Sequence, residues 1–181
     1  MQSKFNKLYL NSIFPLYRVG KTSLLNQYIK KEFSPKYDST SGADFLIKKI
    51  YIGGNMVKLQ LWDTAGAYKS PPLSDFLYRD TKCCALVFDL TDSKSFENIE
   101  SWRAKFLKES NIKDPDAFPF VLIGNKWDKV AERKVEEFEV KQYCKTKSNM
   151  SYFEASCKDN INVDTAFEEI ANLALMKASK E

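Results

Sequence analysis

Gly20-Lys21-Thr22-Ser23 is the run in this chain whose residue types and order are best suited to chemistry. Glycine, lysine and a hydroxyl residue in that order close the phosphate-binding pattern G-x-x-x-x-G-K-[ST]. In that pattern backbone N–H groups cradle phosphate oxygens, the lysine reaches the terminal phosphates, and the hydroxyl takes Mg²⁺. Arg18, Val19, Gly20, Lys21, Thr22 and Ser23 include no proline, so all six bring an amide N–H to such a loop. The first half of the pattern is absent: Pro15 stands where the opening glycine belongs.

Three further runs carry chemistry. Asp63-Thr64-Ala65-Gly66 offers a carboxylate able to hold Mg²⁺ through water and a Gly66 N–H able to face a terminal phosphate. Asn125-Lys126-Trp127-Asp128 offers a carboxylate that can accept from both the ring N–H and the amino group of guanine. Adenine lacks that donor pair, so Asp128 would select the base and disfavour ATP. Ser156-Cys157-Lys158 can complete a base pocket with backbone donors to the guanine oxygen. Any one of these runs occurs by chance; all of them in this order point to a guanine nucleotide with Mg²⁺.

The bulk sequence removes other classes. With no histidine in 181 residues, Ser-His-Asp and Cys-His nucleophile arrangements and histidine zinc sites are excluded. The net charge of +4 comes from scattered lysines without a basic stripe, so no nucleic-acid partner is expected. The sequence shows no signal-peptide core and no apolar run long enough to span a membrane, so a cytoplasmic protein is expected. Cys83, Cys84, Cys144 and Cys157 have no metal spacing and read as buried, reduced thiols.

These loops need elements to hold them. Leu8 to Phe14 reads as a first strand and the run from Thr22 as a helix, the strand–loop–helix context a phosphate loop requires. Glu32 to Asp44 reads as a loop. Phe45–Ile52 and Met56–Trp62 alternate apolar and polar residues around Gly53-Gly54-Asn55, which predicts an antiparallel hairpin. Pro71 and Pro72 delay the next helix to about Leu73. Cys83–Leu90 and Phe118–Gly124 are continuous apolar runs typical of strands buried on both faces. Helices are expected over Ser95–Leu107, around Val135, Phe138 and Tyr143, and from Val163 to Ala174, with a short strand at Tyr152–Ala155. The alternation predicts one domain: an α/β, doubly wound, mostly parallel sheet with an antiparallel edge, binding ligands at the carboxyl ends of its strands.

With TSLLNQY, SGADF, CCALVFDLT, SWRAKFL and INVDTAF added to those loops, the chain from about Leu8 to Ala178 resembles a Ras-type small GTPase of the Rab branch, nearest the Rab of late endosomes and lysosomes. The resemblance implies a six-stranded P-loop fold, a monomer, GTP or GDP with Mg²⁺ as ligands, and effector and exchange-factor proteins as partners. It implies that Phe33 stacks on guanine, that Tyr37 closes over the phosphates, and that Thr40 joins Thr22 and Asp63 at Mg²⁺. Glu32–Asp44 and Ala65–Tyr78 would be the two switches, with Tyr37, Phe45, Trp62 and Leu77 facing effectors. It also implies work on the cytosolic face of late endosomes or lysosomes, given a prenylated tail; no cysteine follows Cys157, so membrane attachment would need a tail outside this chain.

The departures from that family gather on hydrolysis. Ala67 stands where the family has the glutamine that orients the attacking water, so no catalytic residue is assigned. Tyr17 stands where a small residue borders the γ-phosphate, Ser41 replaces an isoleucine, and Arg18 replaces a glycine. Three readings stay open: a nucleotide-binding switch with very slow hydrolysis, a pseudo-GTPase scaffold with weak or absent nucleotide, and an active GTPase using another residue such as Tyr68.

Overall fold

A computed structural model describes residues 6–12, 18–35, 43–64 and 81–180. Pro15, Tyr17, Tyr37, Thr40, Ser41, Gly66, Ala67, Tyr68, Leu77 and the expected helix from Leu73 lie outside the described residues.

The strands are β1 (Asn6–Ser12), β2 (Ala43–Ile52), β3 (Asn55–Thr64), β4 (Thr81–Asp89), β5 (Phe120–Asn125) and β6 (Ser151–Glu154). They form one six-stranded sheet in the order β2-β3-β1-β4-β5-β6, with β2 alone antiparallel at its edge. The expected fold class is the observed one. The helices are α1 (Lys21–Lys30), α2 (Ser93–Glu97), α3 (Ile99–Ser110), α4 (Glu137–Thr146) and α5 (Val163–Ala178). None of the described helices is long and apolar enough to cross a membrane.

Strand alternation sorts the core into two layers. Cys83, Ala85 and Val87 face one way and pack with α1 and α5, where Tyr28 stacks on Phe167 at 4.1 Å. Cys84, Leu86 and Phe88 face the other way, against Trp102 and Phe106 of α3 and Val140 of α4. The adjacent cysteines therefore serve opposite layers, as period two requires. All four cysteines are buried and free, and burial pushes the Cys83 thiol far above its usual range. The β2–β3 turn consists of Gly53 and Gly54 at φ 55° and 80°, the left-handed pair a tight hairpin turn demands.

Most boundaries shift by one or two residues from expectation, and four departures bear on the reading. Strand β1 spans Asn6–Ser12, earlier than Leu8–Phe14. Ala43 and Asp44, expected in a loop, open β2. The helix expected over Ser95–Leu107 is two helices meeting at Asn98, whose side-chain Nδ2 donates to the Lys94 carbonyl at 2.7 Å. The same carbonyl also accepts the Asn98 backbone amide at 3.2 Å, so backbone and side chain together close the end of α2. In α4 the buried residues are Val140 and Cys144, while Phe138 is 72% exposed and Val135 precedes the helix.

Because β1, β3, β4, β5 and β6 run parallel, their carboxyl ends share one edge of the sheet. The pairings Ser12–Asp63 and Asp89–Asn125 bring those ends level. The strand order reverses beside β1, which makes this edge the place where a doubly wound sheet opens a crevice.

Candidate functional site

A cavity of about 840 Å³ occupies that crevice. Arg18, Gly20 and Ser23 line one end, and Asn125, Lys126, Asp128, Cys157 and Lys158 line the other, with Phe33 between the loops. Residues of three runs far apart in sequence thus line one cavity, while Asp63 is not among its lining residues. A volume of this size fits a ligand larger than a bare phosphate.

At the phosphate end, Gly20 caps α1 with φ 88° and its carbonyl accepts the Leu24 amide at 2.9 Å. The amides of a helix's first turn have no carbonyl one turn back, which makes such an end receptive to anions. Val19 is 1% exposed and belongs to the core, so only its backbone serves the loop. Lys21 is nearly buried; burial lowers its pKa, and the Asp63 charge pushes the other way. The Thr22 hydroxyl donates to Asp63 Oδ2 at 2.6 Å, so two residues 41 apart meet at one point. A hydroxyl and a carboxylate are the hard oxygen donors that suit Mg²⁺.

Arg18 has φ 71°, in the left-handed region that L side chains avoid, and its side chain is exposed. Holding a non-glycine residue there costs on the order of 1–2 kcal/mol. The larger unfolded-state entropy of glycine offsets roughly 0.4–1 kcal/mol of that. Arg18→Gly is therefore expected to raise Tm by roughly 2–4 °C. A lower Tm in thermal unfolding would mean that Arg18 is unstrained in place.

At the base end, Asn125 is fully buried. Its Nδ2 donates to the Val19 carbonyl at 2.8 Å, and its Oδ1 accepts the Cys157 amide at 3.4 Å. It joins the loop before α1 to the loop after β6. Gly20 leaves the room for this: an added Cβ would run into the Asn125 amide. Ser156 departs from expectation, because its amide is used on the Ile161 carbonyl at 3.1 Å. Its hydroxyl instead donates to Asp128 Oδ1 at 2.7 Å, aiming that carboxylate.

Several contributors were not singled out from sequence. Asp89 closes β4 and grips Lys126 at 2.5 Å, while its other oxygen accepts from the Thr91 amide and hydroxyl at 2.8 and 2.7 Å. An acid ending a buried strand was the available signal. Ser34, Pro35 and the turn Lys129–Glu132 complete the cavity wall, and nothing in their residue types marked them. Gly124 admits no side chain, since a Cβ would lie 2.9 Å from Phe88 and 3.0 Å from Leu90.

Arg133 fixes the end of that turn. It forks onto Glu154, donates Nε to the Val135 carbonyl at 2.8 Å, and Glu154 also accepts from the Tyr152 hydroxyl at 2.8 Å. Burial pushes the Glu154 carboxyl up, but the hydrogen bonds from Arg133 and Tyr152 outweigh it and leave the pKa lowered. A depressed carboxylate stabilises the fold above its unfolded value, ~4.3, and that stability is lost as pH falls through the folded value. Arg133→Ala is expected to cost about 2 kcal/mol at pH 7. In denaturant titrations the difference from wild type should shrink below about pH 4.3; a pH-independent difference would rule out the ionic part.

Phe45 is 46% exposed and lies against Trp62, ring centroids 5.2 Å apart, whereas Trp62 itself is largely buried. Of the expected effector-facing residues described, Phe45 is the one open to solvent.

A sequence profile described as the Ras family matches residues 17–176. The Ras-related protein Rab-7a of Paramecium octaurelia is 47% identical over 163 residues, covering 90% of this chain and 79% of the relative. Ras-related protein Rab7 of Glycine max is 48% identical over 159 residues, covering 87% and 77%. Ras-related protein Rab-7a of Dictyostelium discoideum is 46% identical over 157 residues, covering 87% and 77%.

Proposed function

The chain belongs to the Ras family of small GTPases as a Rab7-like member, and from that premise we propose that it is a guanine-nucleotide switch of endosome–lysosome trafficking whose GTP hydrolysis is very slow. The observation that carries the binding half is the single cavity joining the Gly20–Ser23 end to an Asp128 carboxylate aimed by Ser156. Asp128 accepts from the guanine ring N–H and amino group. Lys126, braced by Asp89, flanks the base, and Phe33 covers it. Lys21 and the α1 amides take the phosphates, with Gly66 reserved for the terminal one. Thr22 and Asp63, joined by Thr40, would hold Mg²⁺, which when bound neutralises phosphate charge.

Slow hydrolysis is a reading of two side chains. Ala67 has no group to orient water, and Tyr17 stands at the sequence position where the family keeps a small residue beside the terminal phosphate. The protein then dwells in its GTP form, offering Tyr37, Phe45, Trp62 and Leu77 to effectors, and depends on exchange factors for loading. Residence on late endosomes or lysosomes would come through a lipidated tail.

One observation favours a second reading, a pseudo-GTPase scaffold: Arg18 holds a left-handed φ that favours glycine, which puts a long side chain and backbone strain in the loop that must approach phosphate. Denaturing the purified protein and identifying released nucleotide by chromatography separates the readings. Near-equimolar GTP is the expected result. GDP would return the protein to the active GTPases, with Tyr68 the first residue to test. Absence of nucleotide, with no uptake of added GTP and Mg²⁺, would establish the scaffold.

A further inference from the structure

At the opposite edge of the sheet, where β5 and β6 begin, lies a second cavity of about 350 Å³. Three cations line it: Arg103 of α3, Lys147 after α4, and Lys180 after α5, together with the polar Ser148 and Asn149. Asp116, exposed on the rim, is the acid among its lining residues. It shares no residue with the nucleotide cavity.

Arg103 is the telling member. Its side chain is 14% exposed, and its guanidinium carbon lies 5.1 Å from the centre of the Phe120 ring. Its Nε is buried without a hydrogen-bond partner. The nearest carboxylate, Glu100, is 3.7 Å away, beyond hydrogen-bond distance. That carboxylate is already engaged by the Tyr143 hydroxyl at 2.7 Å and by Lys147 at 3.0 Å. Among the described residues, then, the buried Nε donor has no acceptor and the guanidinium meets its nearest carboxylate only at 3.7 Å, an arrangement that favours an incoming acceptor-rich anion. The Glu100–Lys147 pair keeps Glu100 from supplying it.

We infer that this cavity binds a phosphate group, with Arg103 as its fork and Lys147 and Lys180 as flanking charges. Phosphate suits it better than a carboxylate: its oxygens can meet the guanidinium and two separated ammonium groups together. Asp116 offsets one positive charge and Glu100 another, so the lining still keeps a net positive charge. The group can come from free phosphate or from a phosphoinositide headgroup, and the test distinguishes them.

The experiment follows the Arg103 Nε–H signal by NMR in the full chain while inorganic phosphate is added at constant ionic strength. A saturable shift is expected. Arg103→Lys keeps the charge but loses the planar fork, and should weaken binding at least tenfold. Lys180→Gln, on an exposed residue outside the core, should weaken it several-fold with folding intact. In parallel, the protein is sedimented with phosphatidylcholine vesicles with and without a phosphoinositide. Arg103-dependent sedimentation on phosphoinositide vesicles alone assigns the group to a lipid; saturation by inorganic phosphate assigns it to free phosphate. A shift that never saturates, with no Arg103-dependent sedimentation, or binding unchanged in Arg103→Lys, overturns the site.

Discussion

Asp128→Ala is expected to abolish guanine-nucleotide binding, with a loss of about two to four orders of magnitude in affinity. The figure follows from two charge-assisted hydrogen bonds, each roughly 1.5–3 kcal/mol, at 1.4 kcal/mol per tenfold. Truncating Asp128 also leaves the Ser156 hydroxyl proton, which now donates to it at 2.7 Å, without that acceptor, while the hydroxyl oxygen keeps the Asp159 amide at 3.0 Å. Ser156→Ala should therefore mimic the change weakly: the carboxylate remains but loses its aim, and about tenfold is expected from one hydrogen bond. Titration with a fluorescent GDP analogue reads both variants, and circular dichroism checks that each folds. An Asp128→Ala protein that binds GDP as wild type does would sink the guanine reading. ATP should gain nothing from the change, because removing an acceptor creates no complement to adenine.

The second large effect concerns turnover. Single-turnover hydrolysis in the wild-type chain should run below the roughly 10⁻⁴ s⁻¹ typical of an unassisted Ras-type site. The double change Tyr17→Gly with Ala67→Gln should raise it tenfold or more. It should also restore response to an arginine finger, an effect of about 10³- to 10⁵-fold in this class. Each single change is expected to recover little, because oriented water and open access to the phosphate are both needed for one step. Full rescue by Ala67→Gln alone would show that Tyr17 leaves the phosphate open. No rescue by the double variant would move the fault to Pro15 and Arg18.

Much of this was legible in the sequence, for reasons that differ by element. The continuous apolar runs of β4 and β5 and the two-glycine hairpin turn carry strong local signals, and their strands fell where period and turn chemistry put them. The site loops were legible because each follows a strand whose end the topology fixes. What escaped depends on partners that spacing does not reveal. Ser156 aims Asp128 from 28 residues away, and Asp89 braces Lys126 from another strand. The break at Asn98 is invisible to a helical periodicity that runs straight through it. Phe138 misled for the converse reason: an aromatic beside a helical pattern was read as inward, and the fold leaves it in water.

The contact between Gly20 and Asn125 bears on how this chain can change over generations. The missing side chain at one position is the space the other's amide fills, and that amide holds the Val19 carbonyl. Neither position can drift singly without disturbing its counterpart: a larger residue at 20 evicts the amide, and a smaller one at 125 releases the loop. The Gly20–Asn125 clasp changes safely only as a pair, so it is a part of the loop that single substitutions erode slowly.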